Sequence, residues 1–103
     1  MTPDDISGYI ENLKERFSEL ETKLSDPAIY ANASESKKIF QEHRKLGRLF
    51  QNYDRWKSFL REIEENQLML DEDDAEIREM AASEIEALNG KILKLEAEVK
   101  LSL

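Results

Sequence analysis

Four consecutive carboxylates, Asp71 to Asp74, form the densest group of metal-binding side chains in the sequence. A helix-loop-helix calcium site needs acids at alternating positions, a glycine at the sixth position and a distant glutamate. The run meets none of these requirements. Its place between two helical patterns instead predicts a helix start, with Asp73 as the N-cap and Glu76 completing a capping box. We therefore expect no metal ion and no cofactor here.

Cysteine and histidine, two residue types common in catalytic and metal sites, are almost absent from the chain. There is no cysteine and only one histidine, His43, which excludes disulfides, thiolate chemistry and multi-histidine metal sites. His43 has no accompanying serine and acid in an order typical of a catalytic triad. The glycines Gly8, Gly47 and Gly90 are isolated, so no glycine-rich phosphate loop is present. The sequence predicts a binding or spacing module that is not an enzyme and takes no small-molecule ligand.

A basic segment in the middle of the sequence is the strongest candidate for binding. The segment from Lys37 to Arg61 contains eight lysines and arginines and only two acids, Glu42 and Asp54. Its local charge is therefore +6 in a chain of net charge −8. The remaining residues therefore carry −14. Opposite charges of this kind can set the pairing of packed helices. Alternatively, the basic residues contact phosphate. The candidates for such contact, which we call the basic strip, are Lys37, Lys38, Arg44, Lys45, Arg48 and Arg55.

Three amphipathic helices are predicted to position these residues, because apolar side chains recur at steps of three and four. The first helix opens at Pro3 and stops at Ser25-Asp26-Pro27, since the residue before proline leaves the helical region. The second runs from Ser36 to Leu70, after a connector, and the third from Ala75 onward. Their inward residues are, in the first helix, Ile6, Ile10, Leu13, Phe17, Leu20 and Leu24; in the second, Ile39, Leu46, Leu49, Tyr53, Trp56, Leu60, Ile63, Leu70 and one polar residue, Gln67; in the third, Ile77, Ala81, Ile85, Leu88, Ile92, Leu95 and Val99.

Short connections between these helices predict an all-α fold of three long antiparallel helices. The second and third would form a coiled-coil hairpin, with the first packed along it as a helical bundle. Residues 1–103 are expected to form a single domain. The last helix reaches Leu103 without a capping signal, which predicts a fragment of a longer chain. No apolar run of about 18 residues is present, and the acidic start is unlike a signal peptide, so we expect a cytoplasmic protein without a membrane partner.

The junction of the last two helices carries the most specific sequence. The run from Met69 to Ala81, Met-Leu-Asp-Glu-Asp-Asp-Ala-Glu-Ile-Arg-Glu-Met-Ala, resembles the helix junction in the N-terminal domain of the bacterial peptide chain release factor 1 family. Leu24-Ser25-Asp26-Pro27 is similar to the end of that family's first helix. The resemblance covers essentially the whole chain, and it is closer to the type that reads UAA and UAG than to the UGA-reading type.

The resemblance implies a domain of a translation termination factor that contacts the ribosome near its stalk base, through rRNA and protein, without catalysis. The chain has no Gly-Gly-Gln and no Pro-x-Thr tripeptide, so no hydrolytic or codon-reading role falls on its residues. The resemblance also implies that the basic strip lies on the side of the domain that faces the ribosome. A generic coiled-coil scaffold that self-associates is the alternative, favoured by the heptad spacing and the acidity.

Overall fold

The computed structural model describes residues 1–103 and is all-α, without β-strands. A 3₁₀ turn at Pro3–Ile6 precedes α1 (Ser7–Ser25), and a second 3₁₀ turn at Pro27–Ala31 leads to α2 (Ala33–Met69); α3 is Ala75–Ser102. The predicted all-α fold with three long helices is thus confirmed. The chain divides into two compact units, Met1–Gln51 and Asn52–Leu103, with the division inside α2. None of the helices combines the length and apolar composition needed to cross a bilayer.

In the first unit, side chains cap the starts of the second 3₁₀ turn and of α2. α1 ends at Ser25, directly before Asp26-Pro27, as predicted. The Asp26 carboxylate then accepts a hydrogen bond from the Ala28 backbone N–H at 3.0 Å. The Asn32 side-chain oxygen accepts one from the Glu35 N–H at 3.1 Å and caps α2. Each of these bonds satisfies a backbone donor that lacks a helical partner.

The predicted N-cap of α3 is wrong by one residue. The cap is Asp74, whose carboxylate accepts the Glu76 backbone N–H at 2.9 Å, and not Asp73. Arg78 explains the difference, because its guanidinium donates to the carbonyl oxygens of Glu72 at 2.7 Å and Asp73 at 2.8 Å. These bonds hold the turn so that the helix begins at Ala75, and Asp74 precedes it.

In the first unit, α1 packs on the N-terminal part of α2. The Phe17 ring stacks on His43 with centroids 4.2 Å apart and meets Phe50 edge-on at 5.3 Å. A Cβ built at Gly47 would lie 3.8 Å from the same ring. Hence the predicted inward face of α1 does face α2. The buried apolar side chains of this core are Ile10, Leu20, Ile39, Leu46 and Leu49.

In the second unit, residues 52–69 of α2 pair antiparallel with α3. Asn52 donates to Glu98 at 3.1 Å, whereas further along α2 Phe59 lies under the Lys91 ammonium, 5.6 Å from the ring centroid. The buried side chains include Trp56, which is 2% exposed, and also Tyr53, Ile63, Ala81, Leu88, Ile92, Leu95 and Val99. Three residues of the predicted inward faces, Gln67, Leu70 and Ile77, are exposed. They lie where α2 ends and α3 begins, and no further helical turn covers them.

Candidate nucleic-acid interface

Five of the six basic-strip residues lie on α2 within the first unit, and all five are exposed. Lys37 and Arg44 are seven residues apart, as are Lys38 and Lys45, and Arg48 follows Arg44 by four. Spacings of four and seven keep side chains on one face of a helix, so they form two adjacent rows. The five ion pairs of the structure involve Lys14, Arg16, His43 and Lys100 and none of the strip. These cationic groups are therefore available to an outside anion.

Glu42, the one acid between Lys37 and Arg48, is paired with a residue of α1. Arg16 binds it with two hydrogen bonds, Nε to Oε1 at 3.0 Å and Nη2 to Oε2 at 2.8 Å. Hydrogen bonding to the guanidinium lowers the pKa of the Glu42 carboxyl, and the same bonds raise the pKa of Arg16. Glu42 is thus ionised at neutral pH and already paired. It does not cancel the charge of the neighbouring lysines and arginines.

An open groove of about 420 Å³ runs beside the strip, lined by Ser36, Lys37, Phe40, Gln41 and Arg44. Phe40 is about half exposed, and its ring lies 6.2 Å from that of Tyr30, which is also about half exposed. The Tyr30 hydroxyl donates to the Leu24 carbonyl at 2.9 Å, which fixes its ring. Cations beside accessible aromatic rings are the combination that nucleic-acid surfaces use.

Arg55, the sixth strip residue, lies in the second unit. There it shares a groove with Lys91 and Lys94 of α3. These two lysines stand singly among the acids of α3, so the sequence predicts no binding role for them. Only the register between α2 and α3 brings them next to Arg55, and no local pattern in the sequence signals it.

Neither His43 nor the acidic run forms a reactive site. The His43 ring stacks on Phe17, and its Nε2 lies 3.3 Å from a Glu21 carboxylate oxygen, so it packs between the helices of the first unit. In the run, Asp74 is used as a cap and the carbonyls of Glu72 and Asp73 hold Arg78. The structure contains no group of three or more histidines and acids that could hold a metal ion.

The sequence matches the family model of the PCRF domain over residues 13–103. The chain belongs to the PCRF domain family. This PCRF domain is 44% identical over 94 residues to peptide chain release factor 1 of Geotalea uraniireducens strain Rf4. It is 40% identical over 94 residues to the protein of that name from Geobacter sulfurreducens, and 39% identical over 100 residues to that of Clostridium perfringens.

These matches cover most of the PCRF domain and a minor part of its relatives. They include 91% of the chain for the first two proteins and 96% for the third. The chain spans about a quarter of the length of these relatives, 26% for the first two and 27% for the third. No solved structure matches it. The resemblance to the release factor 1 family noted in the sequence is thus confirmed.

Proposed function

We propose that this PCRF domain acts in translation termination, as a helical domain of a cytoplasmic release factor that reads UAA and UAG. The family match and the three relatives named peptide chain release factor 1 support this proposal. The domain contributes binding surface and not chemistry, because its titratable residues act as caps, ion pairs and solvated charges. Codon reading and hydrolysis then belong to other parts of such a factor.

The basic strip carries the proposed binding role. Five exposed cations lie in two rows on α2, none is paired within the chain, and the nearby acid Glu42 is held by Arg16. Phosphate neutralises such cations with release of counterions. The partner that fits is the ribosome at its stalk base, where Lys37, Lys38, Arg44, Lys45 and Arg48 contact rRNA phosphates and neighbouring surfaces contact ribosomal protein.

A domain exchange tests this function directly. The matching segment of Geobacter sulfurreducens release factor 1 is replaced by this chain, and peptide release is measured on ribosomes stopped at UAA, UAG or UGA. Because the two segments are 40% identical, we expect kcat/KM at UAA and UAG within about threefold of the parent, under 1 kcal/mol in transition-state binding. The exchange protein should release no peptide from ribosomes stopped at UGA.

The parent protein without this segment is the matched control. We expect it to show a higher KM than the exchange protein, because it lacks the surface that contacts the ribosome. An exchange protein that folds but performs no better than this deletion would contradict the proposal. Equal KM values in parent, deletion and exchange protein would also contradict it, because the segment would then contribute no binding.

Self-association is the second candidate function. Two large apolar side chains of α3, Leu93 and Leu101, are 68% and 89% exposed, and such residues can pair between copies. Sedimentation equilibrium of the isolated chain measures this, with Leu93→Ser as the variant. A monomer at high micromolar concentration would remove this candidate, whereas a dimer that Leu93→Ser dissociates would support it.

A further inference from the structure

The second unit contains a groove between α2 and α3 that the basic strip does not account for. Its volume is about 260 Å³, and its walls are Arg55 and Phe59 of α2 with Lys91, Lys94, Leu95 and Glu98 of α3. Three of these six side chains are cationic and one is acidic. The groove therefore carries a local charge of +2 in a chain whose net charge is −8.

Ion pairing within the chain does not neutralise these cations. None of Arg55, Lys91 and Lys94 takes part in the ion pairs of the structure. By contrast Lys100, on the same helix, binds Glu96 at 3.3 Å. The acid of the groove, Glu98, accepts a hydrogen bond from the largely buried Asn52 at 3.1 Å. That bond directs one carboxylate oxygen towards Asn52.

Phe59 adds an aromatic surface to the cations. The Lys91 ammonium lies 5.6 Å from the centroid of its ring, close enough for a cation–π attraction that positions the ammonium at the groove. Phe59 is only partly buried, and its side chain lines the groove. Leu95 supplies further apolar surface beside it.

We propose that this groove binds single-stranded RNA, with backbone phosphates on Arg55, Lys91 and Lys94 and an unpaired base or its ribose against Phe59. Positive grooves with aromatic rings are how proteins hold single strands, because the cations follow the backbone and the ring takes a base face. A free anion would use the cations but not the ring. The site goes beyond the basic strip, from which it takes only Arg55, and its test needs no ribosome.

The test measures binding of fluorescein-labelled decauridylate to the intact chain by fluorescence polarisation between 20 and 150 mM salt. Lys91→Gln and Lys94→Gln should each weaken binding by about three- to tenfold. Each should also make the negative slope of log K against log salt shallower by about 0.7. Lys100→Gln is the matched control, since it removes one charge from the same helix. We expect it to change affinity by less than about twofold, because Lys100 is already paired.

Variants of opposite sign sharpen the assignment. Glu98→Gln removes the only acid of the groove and keeps a side-chain oxygen for Asn52, so binding should strengthen by about two- to fivefold. Glu86→Gln makes the same charge change on α3 outside the groove and should have a smaller effect. Phe59→Leu retains apolar contact but loses the ring. It should weaken the affinity for decauridylate more than it weakens the affinity for tripolyphosphate, which is measured by displacement of the labelled RNA.

Four results would overturn the proposal. The first is an equal effect of Lys94→Gln and Lys100→Gln. The second is equal strengthening by Glu98→Gln and Glu86→Gln. The third is that Lys91→Gln and Lys94→Gln weaken binding of a fully paired RNA duplex as much as they weaken binding of decauridylate. The fourth is no loss of decauridylate binding in Phe59→Leu, which would leave a simple anion site. Helix content and urea midpoints are compared for all variants. Both should be unchanged, because none of the substituted side chains belongs to the buried core.

Discussion

At the scale of single residues, the structure separates side chains that stabilise the fold from those that remain available for binding. Trp56 is 2% exposed and is among the largest fully buried side chains, whereas the strip cations are exposed and unpaired. His43 shows that a residue type suited to catalysis can serve packing, because its ring lies flat on Phe17. Trp56 was predictable from its place in the apolar pattern. The contact of His43 was not, because it depends on how α1 lies against α2.

Replacing Trp56 with alanine should lower the free energy of unfolding by about 3–5 kcal/mol, because it removes a buried indole and leaves a cavity. Urea unfolding followed by circular dichroism measures the change. Leu68→Ala, which also removes apolar atoms from α2 but at a 75% exposed position, is the control and should stay within about 0.5 kcal/mol. Similar effects for the two variants would mean that the indole is not part of a packed core.

The Arg16–Glu42 pair should make stability depend on pH in the acid range. Because the pKa of folded Glu42 lies below its ordinary value of 4.5, the pair contributes its full stabilisation above that value. The contribution is lost as the pH falls through the lowered pKa of the folded state. Unfolding measured from pH 7 to pH 2 should show this loss in the natural chain and a smaller one in Glu42→Gln. Identical profiles would show that the pair contributes no pH-dependent stability.

At the scale of helices, the sequence predicts what local chemistry decides and fails where packing decides. α1 ends before Asp26-Pro27 as predicted, because proline acts on its immediate neighbour. The cap of α3 shifts from Asp73 to Asp74 because Arg78, several residues away, binds the turn. The strip was found from the sequence because all six of its members lie on one helix, α2. The groove with Lys91 and Lys94 was missed because it needs the register of two helices.

Gly47 illustrates a position whose role only the structure decides. It lies inside α2 with no positive φ, and the only contact of an added Cβ is ordinary, 3.8 Å from the Phe17 ring. Gly47→Ala should therefore stabilise the chain by about 0.5–1 kcal/mol through helix propensity. A rise in the urea midpoint without a change in slope is the expected result. A lower midpoint would mean that the α1–α2 contact needs the glycine.

At the scale of the whole molecule, the segregation of charge is the feature that joins sequence to function. The segment from Lys37 to Arg61 carries +6, although the net charge is −8. Among its acids, Glu42 is already paired with Arg16. A uniformly acidic domain would be repelled by rRNA, whereas a local excess of unpaired cations attracts phosphate within a Debye length of about 8 Å at physiological salt. That the chain forms one domain, continued in a longer protein, stays a prediction.

The most direct measurement is the affinity of the exchange release factor for stop-codon ribosomes as a function of salt. Two triple variants make the same charge change: Arg44, Lys45 and Arg48 to Glu within the strip, and Lys14, Lys23 and Lys100 to Glu outside it. We predict that the strip variant alone loses at least about tenfold in affinity and has a shallower salt dependence, with helix content retained. Equal losses for the two variants, or none for the strip variant, would contradict the proposal that the basic strip meets the ribosome.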